Sequence, residues 1–282
     1  MRIHHLNCGS DCPVGGALFD GRSAGPLAHL VCHCLLIETA ADGLVLVDTG
    51  IGLKDVDHPH RADPRIPRFF RSLLNIQLRE ADTAARQIER LGFRRDDVRH
   101  IVLTHLDFDH AGGLEDFPNA AVHLMHEEYT TATRPQRGFV MRRRYRPPQL
   151  NEVGDWRTYG ARGEKWFGFD AVRDLDGLPP EILLVPLPGH TWSHAGVAIR
   201  RPEGWLLHAG DAYFYRGEMR GAERNCTPGL RAYQDLMEVD RRARIDNQAR
   251  LRQLSVERRD ELNVLCAHDP VELEQAQAGT LL

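Results

Sequence analysis

Short apolar runs punctuated by glycine, proline and aspartate set the pattern of this chain. Leu35-Leu36-Ile37 and Leu44-Val45-Leu46-Val47 flank Asp42-Gly43, which predicts a β-hairpin because glycine accepts the positive φ of its turn. Ile101-Val102-Leu103, Ala121-Val122-His123-Leu124-Met125, Ile182-Leu183-Leu184-Val185, Gly196-Val197-Ala198-Ile199, Trp205-Leu206-Leu207-His208 and Leu262-Asn263-Val264-Leu265-Cys266 read as further strands. Residues 81–92 alternate as an amphipathic helix closed by Gly92, and a short helix starts near His126. Thr227-Pro228 opens another helix, with threonine as cap and proline at the first helical position, running to about Leu254. A short helix ends the chain.

Between Arg134 and Pro148 the periodicity dissolves into arginine, proline and glycine, as in a loop or lid. Residues 1–29, including Asn7-Cys8-Gly9-Ser10-Asp11-Cys12-Pro13, read as a flexible N-terminal loop or arm that could fold over a site. Strands and helices thus fall into two comparable sets on either side of residues 134–150. One α/β domain over residues 1–282, with two sheets face to face and helices outside, fits that order; periodicity alone leaves other α/β folds open.

Composition narrows the classes. A chain of 282 residues with 42% hydrophobic and 27% charged positions is long enough to bury a substantial core. The net charge of −4 gives no bulk drive toward nucleic acid or an anionic membrane. No stretch approaches the roughly 20 apolar residues of a bilayer span, and the N-terminus lacks an apolar signal-peptide core. A cytoplasmic location with reduced thiols is expected, so a Cys8–Cys12 disulfide is disfavoured. Cys32 and Cys34 would share a sheet face as small core residues.

Chemistry concentrates at strand ends. Thr104-His105-Leu106-Asp107-Phe108-Asp109-His110 follows an apolar run and offers four metal-capable side chains. If the strand continued, alternation would put His105, Asp107 and Asp109 on one side, with His110 brought in by a turn. Imidazole and carboxylate at this density suit borderline or hard divalent cations better than a core. Pro188-Gly189-His190-Thr191-Trp192-Ser193-His194, Leu207-His208-Ala209-Gly210-Asp211 and Leu265-Cys266-Ala267-His268 each place a ligand-type residue just after an apolar strand.

Together with Leu46-Val47-Asp48-Thr49-Gly50, these motifs, in this order, resemble the metallo-β-lactamase fold superfamily over nearly the whole chain. The resemblance implies a four-layer αββα sandwich holding two divalent metal ions. His105 and His190 would bind the first metal with the residue at 107. Asp109, His110 and His268 would bind the second, Asp211 would bridge the two, and Asp48 would orient a ligand and loop. Aspartate at 211 is similar to the glyoxalase II, lactonase and phosphodiesterase branches, whereas true β-lactamases tend to carry cysteine. Asp107 departs from the pattern, which usually has histidine there. It could ligate directly, bind through a water, or leave the first metal weakly held; the glutamate of flavodiiron proteins in this slot favours direct ligation. Zinc is the expected metal, with iron or manganese admitted by the carboxylate.

The implied chemistry is attack on an ester-type carbonyl by a hydroxide shared between two cations, with Asp109 relaying a proton to the leaving group. Tyr213 and Tyr215 are candidates to contact the substrate carbonyl, weighed evenly against core packing with a satisfied hydroxyl. His194 reads as a hydrogen-bonding neighbour of the ligands. Arg142, Arg143 and Arg144, within the run from Arg134 to Arg146, could meet an anionic substrate, although such runs more often form a solvated face or an oligomer contact. His4, His5, His29, His33, His58, His60, His123, His126 and His208 lack partnered spacing and read as structural or surface residues. The first functional expectation is a hydrolase of lactones, thioesters or other small esters, with no nucleic-acid or membrane partner and a homodimer allowed. A phosphodiesterase or nuclease, a di-iron redox protein suggested by Asp107, and a non-catalytic metal-binding regulator are the alternatives.

Overall fold

The computed structural model describes residues 1–40, 42–57, 65–172 and 174–281. Its strands are β1 (Arg2–Asp11), β2 (Leu30–Glu38), β3 (Leu44–Val47), β4 (Ile76–Gln77), β5 (Val98–Val102), β6 (Ala121–Met125), β7 (Trp156–Tyr159), β8 (Glu164–Trp166), β9 (Phe169–Ala171), β10 (Ile182–Pro186), β11 (Ala195–Arg201), β12 (Gly204–His208) and β13 (Leu262–Leu265). They form a seven-stranded sheet in the order β4-β1-β2-β3-β5-β6-β7 and a four-stranded sheet, β10-β11-β12-β13. The β8-β9 ribbon joins the smaller sheet through a bridge between Val172 and Leu184. The predicted hairpin is present, with Leu36 opposite Leu46 across β2 and β3.

Side-chain alternation explains the layers. Leu35, Ile37, Val45, Val47 and Val102 of the first sheet pack against Leu184, Val197, Ile199, Leu206 and Leu265 of the second, filling the space between them. The opposite faces carry helices. Leu36, Leu46 and Ile101 meet Ala84, Ala85 and Ile88 of the helix Ala84–Arg90. Leu183, Val185 and Leu207 meet Leu251 and Leu254 of the helix Arg241–Glu257. The expected four-layer αββα sandwich is therefore the observed one, and both sheets send strand ends toward the same loops.

Three expectations change. Residues 2–11 are not a flexible arm: β1 pairs with β2 from Arg2–Glu38 to Asp11–Leu30, and buries Leu6 and Cys8 in the core. Its sparse apolar content hid the strand, which is held by its pairing with β2 together with those two core residues. The long helix from Pro228 breaks into Pro228–Met237 and Arg241–Glu257. Asp240 caps the second piece by accepting from Ala243 N, while Val239 N and Asp240 N both donate to Gly189 O, at 2.9 and 3.1 Å. The Arg-rich segment is packed rather than open: short helices at Met141–Arg144 and Pro147–Leu150 bury Arg144, Gln149 and Leu150. The cysteines are all free thiols, Cys8 and Cys12 included. Among the described residues, no helix is long and apolar enough to cross a membrane.

Candidate metal centre

β5 stops at Val102, so strand alternation does not arrange the His-Leu-Asp-Phe-Asp-His motif. His105 and Asp107 stand in a loop, and Asp109 and His110 in the helical turn Phe108–Ala111 that follows. Asp48, just after β3, holds that loop from below. Its Oδ1 accepts Thr104 N–H at 2.8 Å, and its Oδ2 accepts the Thr104 hydroxyl and His110 Nδ1, both at 2.8 Å. The residue adopts φ 53°, a left-handed conformation that aspartate tolerates better than most side chains.

The second sheet delivers the other half. His190 follows Gly189, whose φ of 141° lies where an added Cβ would come within 2.5 Å of the Arg244 backbone. Asp211 follows Gly210, where a Cβ would meet His194 Nε2 at 2.6 Å. His268 follows β13. Glu128 ties the two halves, accepting Leu106 N–H at 3.1 Å and the Thr191 hydroxyl at 2.7 Å.

Asp211 lies between two groups of donors. Its Oδ2 is 3.3 Å from His190 Nε2 and 3.7 Å from His105 Nε2, while its Oδ1 is 3.0 Å from His268 Nε2 and 3.3 Å from His110 Nε2. Asp107 Oδ2 joins the first group at 3.0 Å from His190 Nε2 and 3.5 Å from His105 Nε2. Asp109 Oδ2 joins the second, 3.7 Å from His268 and 4.0 Å from His110. The structure thus brings together all seven expected ligands in two seats that share Asp211, and Cys32 also presents its thiol beside Asp109 and His268.

These donors fit divalent cations. The outer nitrogens are already occupied: His105 Nδ1 donates to Thr104 Oγ1 at 2.9 Å, His110 Nδ1 to Asp48, and His268 Nδ1 to Val31 O at 2.7 Å. That commits each Nδ1 and turns Nε2 inward, the arrangement metal-binding histidines require. Inside, His105 Nε2, His110 Nε2 and Asp211 Oδ1 are buried without a hydrogen-bond partner. Orphaned buried acceptors of this kind are costly unless a cation occupies the space between them.

Electrostatics follow from that crowding. Burial works against charge at Asp211, but His268, His110 and His190 outweigh it and hold its carboxyl well below the usual range. At His268 burial alone would lower the pKa, yet Asp211 and Asp109 raise it to about 9. Burial lowers His190 to about 4, with Arg144 adding to the effect. His194 is kept neutral by burial; it donates through Nδ1 to Leu187 O at 3.1 Å and accepts Asp211 N–H at 2.9 Å, so it braces the ligand loops.

Other expected site residues land elsewhere. Tyr213 is buried with its hydroxyl on Glu272, at 3.0 and 3.1 Å. Tyr215 lies beneath Arg216, with its hydroxyl against Gly21. The tyrosine within the field of the acidic cluster is instead Tyr233, its pKa raised by burial and then by Asp109, Asp11, Asp107 and Asp211. Arg142 is exposed, Arg143 stacks on Phe139, and Arg144 is buried against Asp107, so these three do not form an anion-facing row. Asp11 is a further buried acid, raised to about 7 by burial and then by Asp109. No motif flags Asp11, Glu128 or Tyr233; only the folded topology collects them. Of the histidines with no partnered spacing, His5 pairs with His33 at 2.9 Å, His123 links His100 and Tyr159, and His126 meets Thr158. His58 and His60 lie outside the described residues.

Glu272 makes Tyr213's environment sensitive to pH. Burial and then Asp269 push its carboxyl up to about 8, against 4.5 in an unfolded chain. The folded protein keeps a proton that the unfolded chain releases, so stability declines as pH rises from 4.5 through 8. Glu272→Gln, neutral throughout, is expected to match the parent near pH 5 and exceed its stability by a few kcal/mol near pH 9. Thermal midpoints across that range, at one fixed metal loading, check the difference.

Residues 28–253 match the sequence profile described as "Metallo-beta-lactamase superfamily". The chain is 42% identical over 271 residues to the Mycobacterium tuberculosis protein named "Probable metallo-hydrolase Rv2300c", covering 96% of this chain and 81% of that one. A Bacillus thuringiensis N-acyl homoserine lactonase is 31% identical over 126 residues, covering 43% of this chain and 49% of that protein. An N-acyl homoserine lactone hydrolase solved with N-hexanoyl-L-homoserine at its catalytic metal centre superposes with a TM-score of 0.68 at 20% identity, covering 97% of this chain and 95% of the other. A dizinc quorum-quenching lactonase, AidC, superposes with a TM-score of 0.57 at 16% identity, covering 95% and 87%.

Proposed function

This chain belongs to the metallo-beta-lactamase superfamily, and from that premise we propose that it is a metal-dependent hydrolase of ester-type carbonyl bonds, with lactones as the first substrate class. The observation that carries the reading is Asp211, each of whose oxygens faces a separate pair of histidine Nε2 atoms. Such a carboxylate suits two cations held side by side.

His105, Asp107 and His190 would hold one cation, and Asp109, His110 and His268 the other, with Asp211 common to both. Zinc is the favoured metal, since each seat offers two histidine nitrogens beside its carboxylates and a structural neighbour is a dizinc lactonase. Cations in these seats would supply Lewis acidity, to activate a water and polarise the substrate carbonyl. The protein's own part is to present fixed donors, exclude bulk water and manage protons. Asp48 and Thr104 orient His110 and His105 through their Nδ1 atoms, keeping Nε2 inward. Asp109, beside the second seat, would carry a proton to the leaving alkoxide. Lactones stand first among the esters because N-acyl homoserine lactonases are similar to this chain in sequence and in fold.

A panel tests the reading. Protein purified with zinc, manganese or iron and analysed for metal content is assayed against a homoserine lactone, a thioester and a phosphodiester. Two metals per chain with lactone opening well above the other two activities is the expected result. Turnover confined to the phosphodiester, or none on any carbonyl substrate at full metal loading, overturns it.

A further inference from the structure

Asp107 differs from the other carboxylates of the centre in having a cation of its own. The Arg144 side chain is wholly buried, and its Nε lies 3.2 Å from Asp107 Oδ1. The remaining guanidinium nitrogens are committed to main-chain carbonyls: Nη1 donates to His190 O and Nη2 to Met237 O. The two oxygens of Asp107 therefore do different things. Oδ1 faces Arg144, while Oδ2 faces His190 and His105 and the first seat.

We infer that Arg144 is a positioning residue that makes Asp107 a charge-compensated, single-oxygen ligand, so that the pair acts as one neutral donor. The inference rests on reading the first seat as a metal site. Three features support it. The guanidinium is anchored to the His190 loop and to the end of the helix Pro228–Met237, so its place beside Oδ1 is set by backbone atoms and not by Asp107 alone. Oδ1 is buried, and Arg144 is the cation beside it; free of that partner, it could swing inward and chelate. The centre already holds Asp109 and Asp211, with Asp48 and Asp11 around them, and each uncompensated anion would weaken the Lewis acidity of a bound cation. Arg144 cancels one such charge without occupying a seat.

The test is a mutant cycle read by metal binding, using elemental analysis and chelator competition with zinc and with manganese. Asp107→His supplies a neutral nitrogen donor but strands the Arg144 charge beside a dication. Zinc affinity of the first seat is expected to fall on the order of a hundred-fold, the Coulomb penalty of an unpaired cation a few ångströms away. Asp107→His with Arg144→Met is expected to recover most of that loss. Arg144→Met alone frees Oδ1 and should shift the manganese-to-zinc affinity ratio upward by about tenfold, as oxygen-rich sites do. Arg144→Lys, which keeps the charge and loses the carbonyl anchors, should leave zinc affinity within a few-fold of the parent.

If Asp107→His binds zinc as tightly as the parent, or if the double variant is no better than Asp107→His, the inference is overturned. The same holds if Arg144→Lys shifts the manganese-to-zinc ratio as far as Arg144→Met does, since Arg144 would then be only a clamp on the backbone. A parent chain that takes up no dication overturns the metal reading itself, an outcome separate from any result within the cycle.

Discussion

Asp211→Asn is expected to lower kcat/KM for a lactone by on the order of a thousand-fold, the several kcal/mol that a correctly held dinuclear centre contributes to the transition state. The cause is local. Each Asp211 oxygen faces two histidine nitrogens, from 3.0 to 3.7 Å, and asparagine can offer an acceptor to only one of those pairs. The other pair would face an amide NH2, which repels a cation. The shared negative charge is lost at the same time. The fold should survive, because the backbone N–H of residue 211 still reaches His194 and Gly210 still makes its turn. Elemental analysis beside the kinetics should show fewer than two metals per chain with an unchanged circular dichroism spectrum. A variant that keeps both metals and full turnover would remove Asp211 from the centre.

The second large effect comes from a residue not expected to touch metal. Asp48→Asn changes one oxygen to nitrogen at a position whose φ of 53° asparagine also adopts, so the backbone cost is small. The hydrogen bonds cannot all survive. Asp48 accepts from Thr104 N, the Thr104 hydroxyl and His110 Nδ1, and an amide NH2 must face one of those donors. Either Thr104 moves, taking its contact with His105 along, or His110 changes tautomer and loses its inward lone pair. Metal affinity is expected to fall by about ten- to a hundred-fold, the usual cost of removing a partner that orients a ligand. Chelator competition measures it, and activity should return as free metal is raised. Activity lost without recovery at saturating metal would point to a different role.

These two residues also mark how far the sequence could be read. Asp48, Asp211 and the histidines are legible because each follows an apolar strand, so one short segment reveals both the strand and its ligand. The four layers are legible only in part: two sets of strands and helices on either side of residues 134–150 fit them, and the resemblance singles them out from other α/β folds. What stayed hidden depends on partners far away in the chain. β1 is polar enough to pass for a loop until β2 is laid beside it. The helix break at Val239 has no glycine or proline signal; it exists because Gly189 O draws two N–H groups toward the His190 loop. Arg144 reads in sequence as one member of a solvated run, and only its buried contact with Asp107 separates it from Arg142 and Arg143. Tyr213 and Tyr215 are candidates by resemblance to lactonases with a tyrosine soon after this aspartate, yet the fold carries the first into the core against Glu272. Tyr233, on the helix Pro228–Met237, lies within the field of the acidic cluster instead.

The seven donors come from two halves of the chain. His105, Asp107, Asp109 and His110 follow β5 of the larger sheet, and His190, Asp211 and His268 follow strands of the smaller. Asp107 and His190 stand 83 residues apart in sequence. A group bound by all of them is a removable staple across the two sheets, closing long loops much as a disulfide would. Every donor that tunes its chemistry is then also a stitch in the seam between the sheets. Metal supply and chain folding are drawn from one common store of free energy, and a shortage of either would be felt as a loss of the other.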